Sequence, residues 1–155
     1  MIDELIVEIT PLSRVSFAPF GQVLSVTPDE ALIELRESEA WVLNVLSYDS
    51  RPLRCDHLNA HRRATQMLLP LAGGRALIMV AASGVSFHDR EALGSVKAFV
   101  LDGSAAVNLA LGTWHWGPYP LDDHVDLLNL QGRGFVDDNE VAHLERDLGV
   151  VLVAR

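Results

Sequence analysis

Two stretches of the chain carry residues suited to chemistry: NAHRRATQMLLPLAGG at 59–74 and NLALGTWHWGPYPL at 108–121. His61 and His115 supply imidazoles, which take or give a proton near neutral pH. Asn59 and His61 are two residues apart, so on a strand both side chains leave the same face. Gln66 follows His61 by five residues; with Asn108 it offers an amide to orient a substrate amide. Arg51, Arg54, Arg62 and Arg63 form the one dense cationic run. A guanidinium fork matches a carboxylate, which makes Arg54 and Arg63 the candidate anion contacts. Arg62 and Arg63 are adjacent, so on a strand at most one of them faces inward.

Each of these residues also has a plainer reading. Trp114 and Trp116 flank His115, and an aromatic cluster accounts for that histidine as well as a pocket does. Tryptophans more often fill a core or an interface than line a ligand site; here Trp114 and Trp116 are carried forward as candidate pocket walls. His57 and His88 read as surface residues, and His124 and His143 as structural or solvated. Whether the two stretches are facing strands of one barrel, with His61 and His115 meeting inside it, is left open by the residues alone.

The elements that must position these residues read as strands. Short apolar runs recur at 5–9, 22–26, 41–48, 67–71, 75–82, 96–101, 105–111 and 124–130, separated by Gly, Pro, Asp and Ser. Their length, spacing and β-branched or aromatic content predict an antiparallel sandwich or barrel. AGGR and LDGSA read as tight turns. Two peripheral helices are expected. One lies in TPDEALIELRES at 27–38; the other lies in DDNEVAHLERDLG, with Asp138 as N-cap, Val141, Leu144 and Leu148 on one stripe, and Gly149 as stop.

Length and composition bound the possibilities. The 155 residues fit a single domain spanning the whole chain. Half the residues are hydrophobic (49%) and 21% are charged, enough apolar material for a core and too little charge for disorder. A net charge of −9 excludes a nucleic-acid partner, which needs a clustered basic face. Cys55 is the only cysteine, so the chain has no internal disulfide and no cysteine-based zinc site. The first residues, MIDELIVEITPLS, are acidic where an export signal is basic. No stretch approaches the ~20 apolar residues of a membrane span, and a cytoplasmic protein is expected.

The motifs resemble those of known families. Asn59, His61, Gln66 and Gly73 match the spacing of the first cupin pattern, with Asn59 at its leading His and Gln66 at its Glu. Gly112 and His115 match the end of the second pattern. ITPLSRVSFAPFGQVL, ATQMLLPL and KAFVLDGSAAVNLALGTWHWGPYPL are similar, in that order, to three segments of the ureidoglycolate lyase family. The chain departs from that family at Asn59-Ala60-His61, where E-R-H is usual, at Ala110, where a His is usual, and at Trp116, which replaces the second His of W-H-H.

The resemblance implies a mostly β, cupin-like jelly-roll barrel with a few short helices, commonly paired as a homodimer. It implies a C–N lyase that cleaves ureidoglycolate to glyoxylate and urea in purine and allantoin catabolism. His61, His115 and Gln66 would then be catalytic, with Asn59, Asn108, Arg54, Arg63, Trp114 and Trp116 around a small carboxylate or ureide. The cupin metal position would fall on His61, His115 and Gln66. Without a carboxylate a dication keeps its full charge in a partly apolar barrel, so no cofactor is expected beyond a weakly held divalent ion. The alternatives are a cupin-like protein that binds a small carboxylate or ureide without turning it over, and an enzyme for a different hydroxy or keto acid.

Overall fold

The computed structural model describes residues 1–26, 29–36 and 40–155. Among the described residues fourteen strands follow one another, beginning with β1 (Asp3–Val7), β2 (Ile9–Thr10), then helix α1 (Arg14–Phe17), β3 (Gly21–Leu24) and β4 (Trp41–Asp49). Next come β5 (Arg54–Cys55), β6 (His57–Ala60), β7 (Gln66–Pro70), β8 (Ala76–Ala81), β9 (Lys97–Leu101) and β10 (Ala106–Leu109). The chain ends with β11 (Trp114–Pro120), β12 (His124–Gly132), β13 (Glu140–His143), helix α2 (Leu144–Leu148) and β14 (Val150–Ala154).

The strands form three sheets. A five-stranded sheet runs β3-β10-β7-β12-β4, a six-stranded sheet β13-β6-β11-β8-β9-β2, and a three-stranded sheet β1-β14-β5. The two larger sheets face each other across a core of Leu68, Val107 and Leu109 on one side and Ile78, Val80, Phe99 and Leu101 on the other. This is the flattened barrel of a cupin-like jelly roll, with separate sheets rather than one continuous ring of hydrogen bonds. Pairing is antiparallel except where the N-terminal strands dock: β1 lies parallel to β14 and β2 parallel to β9.

The third sheet gives the six-stranded sheet a second covered face. Leu77 and Met79 pack outward with Cys55, Leu58, Val150 and Leu152, while Ile78 and Val80 face the central core. Buried on both sides, β8 is apolar at every position, ALIMVA, as a strand between two layers must be.

Two expected helices are absent in the form anticipated. Residues 29–36 cross the molecule as irregular chain and spend their backbone on other partners. Leu32 N–H donates to Gln22 Oε1, Glu34 N–H to Thr65 Oγ1, and Leu35 bridges to Ala64. The remaining ends of that expected helix, Thr27, Pro28, Glu37 and Ser38, lie outside the described residues. In the second region Glu140–His143 pairs with β6 as a strand, leaving only Leu144–Leu148 helical. Gly149 does end that helix, at φ 64°, a left-handed conformation glycine adopts without penalty.

Candidate active site between the two sheets

His61 and His115 meet. Asn59 and His115 are direct partners across the β6–β11 ladder, and His61 lies just past the end of β6. The two imidazole centroids are 5.2 Å apart. Gln66 opens β7 in the opposite sheet, so the site is assembled from both walls of the sandwich. Together they border a cavity of about 470 Å³, whose lining also includes Asn44, Gln131, Asn139, Leu46, Leu68 and Ile78.

Each histidine is held by one ring nitrogen. Nδ1 of His61 lies 2.5 Å from the carbonyl oxygen of Asp138, and Nδ1 of His115 lies 3.0 Å from that of Thr113. A carbonyl only accepts, so each Nδ1 carries the hydrogen and donates, leaving Nε2 with a free lone pair. Burial, reinforced by the neighbouring His61, pushes the His115 pKa down to about 4 against the partial support of the Thr113 carbonyl. His115 is therefore a neutral imidazole at pH 7.

The carbonyl that orients His61 belongs to a loop pinned at the same residue. The Asp138 carboxylate accepts from the backbone N–H of Arg62 at 3.0 Å and of Arg63 at 2.8 Å. Asp138 was expected to cap a helix; it caps the free amides after β6 instead. The loop it anchors carries Phe135, Val136 and Asn139 to the cavity, with the Phe135 ring edge-on to His61 at 6.4 Å.

On the facing sheet a line of amides runs inward from the edge. Gln66 Nε2 donates to Asn129 Oδ1 and Asn129 Nδ2 to Asn44 Oδ1, both at 2.8 Å. Asn129 is fully buried. Asn59 Oδ1 and Gln66 Oε1 are buried without a protein partner.

Four of the expected contacts fall elsewhere. Asn108 points to the opposite face of its sheet, because Val107 and Leu109 take the inward positions; its Nδ2 donates to Gln22 Oε1 and Leu32 O. Trp114 is buried in the outer core, donating from Nε1 to Val85 O and meeting Phe87 edge-on. Arg54 is exposed and pairs with Glu4. Arg63 does not line the cavity; its backbone is held by Asp138. Trp116 does border the cavity, though its ring packs against His57 at 3.9 Å. The residues that spacing missed, Asn129 and Gln131, had a signal: they are polar positions two apart in the apolar run HVDLLNLQG, hence on one face of a strand.

The donor set suits a metal poorly. It offers two imidazoles and amide oxygens but no carboxylate, and the described residues hold no group of three or more His, Cys, Asp or Glu able to ligate an ion. A dication there would meet no opposite charge.

Fold and site together define a cupin-type jelly roll with a two-histidine, amide-lined cavity between its sheets. A sequence model of the ureidoglycolate lyase family matches residues 30–151. The chain belongs to the ureidoglycolate lyase family. Ureidoglycolate lyase of Pseudomonas fluorescens (strain Pf-5) is 26% identical over 162 residues, covering 93% of this chain and 95% of the relative. Ureidoglycolate lyase of Pseudomonas aeruginosa (strain LESB58) is 28% identical over 145 residues, covering 82% and 83%. Among solved structures, dTDP-4-dehydrorhamnose 3,5-epimerase from Elizabethkingia anophelis aligns with a TM-score of 0.48 at 17% identity, covering 70% of this chain and 59% of the epimerase.

Proposed function

We propose that this protein is a C–N lyase of the ureidoglycolate type, releasing urea from a hemiaminal ureide and glyoxylate when that ureide is ureidoglycolate. The observation that carries the reading is the pair of imidazoles 5.2 Å apart, each tethered at Nδ1 so that Nε2 is free. Family membership supports the reaction class.

In this scheme His61 Nε2 takes the proton of the substrate hydroxyl. The oxygen's electrons form the C=O bond as the C–N bond breaks, and the departing nitrogen takes up a proton. His61 returns that proton, because an imidazolium at His61 keeps its Nδ1–H donated to the Asp138 carbonyl. His115, held neutral, serves as an acceptor for a substrate N–H rather than as the acid. Gln66, fixed by Asn129, and Asn59 orient the ureide. No step calls for a metal, and a divalent ion would bind weakly at His61, His115 and Gln66.

The test is release of glyoxylate and urea from ureidoglycolate after EDTA treatment and again with divalent metals restored. Turnover is expected to survive the chelator and to fall ~10²–10⁴-fold in His61→Ala. Full turnover in that variant, or turnover only with added metal, defeats the scheme.

A homodimer is part of the same proposal. Val42, Asn44, Leu46 and Tyr48 of edge strand β4 face the cavity, so Leu43 and Val45 face out, 63% and 53% exposed. Their partners across the ladder, Leu130 and Leu128, extend the apolar face. A nine-residue edge strand with an apolar flank is a surface that proteins cover, and a second copy related by a two-fold axis covers both edges at once. A free, buried Cys55 and the lack of any helix among the described residues long and apolar enough to cross a membrane fit a cytoplasmic site of action.

A further inference from the structure

We infer that Asn129 is a positioning residue that sets the polarity of Gln66, so that the site holds the terminal NH2 group of a ureide with a fixed oxygen acceptor. This deepens the proposed function and rests on reading the cavity as the place where a ureide is held. A primary amide can present either its oxygen or its NH2 group, and the end that is already bonded decides which. Gln66 Nε2 donates to Asn129 Oδ1 and Asn129 Nδ2 donates in turn to Asn44 Oδ1, both at 2.8 Å. Asn129 is fully buried and Gln66 is 9% exposed, so water competes little for these bonds. The sense of the line leaves Gln66 Oε1 as the free atom, buried and without a protein partner. An acceptor buried unpaired is costly, and Gln66 lines the cavity. A ligand N–H completes it.

Three more acceptors belong to residues on the same lining. Asn59 Oδ1 is also buried and unpartnered, and the Nδ1 tethers of His61 and His115 leave each Nε2 with a lone pair. Asn59, His61, Gln66 and His115 all border the one cavity. Ureidoglycolate donates from its hydroxyl, its bridging N–H and both hydrogens of its terminal NH2 group. In the scheme above the hydroxyl goes to His61 and the bridging N–H to His115. The two hydrogens of the NH2 group then fall to Gln66 Oε1 and Asn59 Oδ1, which satisfies both orphaned oxygens. The terminal NH2 becomes the group by which the site tells a ureide from an amide of the same shape. With the opposite sense of the line, Gln66 would present its own NH2 and select a ligand oxygen instead.

The experiment is calorimetric titration of the whole protein with N-carbamoylglycine and N-acetylglycine, run beside the ureidoglycolate assay. The two ligands share a carboxylate and differ only in NH2 against CH3. The protein is expected to bind N-carbamoylglycine ~10–100-fold more tightly, because the methyl group leaves buried acceptors unpaired. In Gln66→Leu that ratio should fall at least ~3-fold, since one of the acceptors is gone. Gln66→Glu keeps an oxygen toward the cavity and should keep the ratio, its charge weakening both carboxylate ligands alike; loss of the ratio in this variant would mean the line runs the other way.

In Asn129→Leu the Gln66 amide is free to turn, and the ratio should again drop. A merely structural Asn129 would lower both affinities together and leave the ratio intact. An unchanged ratio in Gln66→Leu or Asn129→Leu overturns the inference. Equal or absent binding of the two ligands, with ureidoglycolate still cleaved, overturns it and leaves the lyase reading standing. A ratio that holds and depends on Gln66, with ureidoglycolate not cleaved, supports the acceptor and removes the lyase reading. If N-carbamoylglycine does not bind and ureidoglycolate is not cleaved, both fall.

Discussion

The two walls of the cavity are built differently. The wall carrying Asn59 and His115 belongs to the six-stranded sheet, which is covered on its far side by the three-stranded sheet and α2. The wall carrying Gln66, Asn129 and Asn44 belongs to the five-stranded sheet, whose far side exposes Leu43 and Val45. Packing on both faces fixes backbone position, so His115, on β11, sits where little can shift, while His61, just past the end of β6, is held by the Asp138 carbonyl. The amide wall has no second layer of its own chain behind its outer strand and is ordered by hydrogen bonds between side chains. On the proposed reading, proton transfer falls to the double-backed wall and most of the ligand's orientation to the other.

Three perturbations sharpen or break that contrast. The largest is at His115, whose folded pKa of about 4 lies below its ordinary value of 6.5. Between those values the unfolded chain binds the proton and the folded chain does not, so stability falls as pH drops through that window. The contribution is about 3 kcal/mol at most. Urea denaturation at pH 7 and pH 4.5 should show His115→Gln losing less stability than the parent; parallel losses would mean the wall is not closed to charge.

Next in size is Asn129→Leu. It leaves Gln66 Nε2 without an acceptor in a buried position, at a cost of ~1–3 kcal/mol, read as a lower denaturation midpoint with the urea slope unchanged. Restored stability in the double variant Asn129→Leu, Gln66→Leu would confirm that the cost lies in the orphaned amide. The smallest effect on the folded monomer is expected from Val45→Asp, within ~0.5 kcal/mol. Light scattering should nonetheless show a shift from dimer to monomer, and a dimer that survives would move the interface off this sheet.

Much of this was legible in the sequence. Eight apolar runs marked strands, and the spacing of Asn59, His61 and Gln66 against His115 marked one site. Strand parity is what spacing could not supply for Asn108. In AVNL every side chain is buried, because the crossing segment at 29–36 covers the outer face, so neither side reads as solvent. Helical propensity gives way twice: residues 29–36 and EVAH both form non-local contacts that outweigh it. β14 was missed because VVLVA follows a helix signal directly, with only Gly149 between them. The amide line leaves no trace in the sequence because Asn44 and Asn129 come from strands 85 residues apart, and only pairing brings them together.

The Asp138 latch joins two tasks in one residue. Its side chain closes the loop onto Arg62 and Arg63 while its carbonyl sets the hydrogen on His61. Clamp and tautomer are therefore linked: a substitution that frees the loop from the two amides also removes the restraint on which nitrogen of His61 carries the hydrogen.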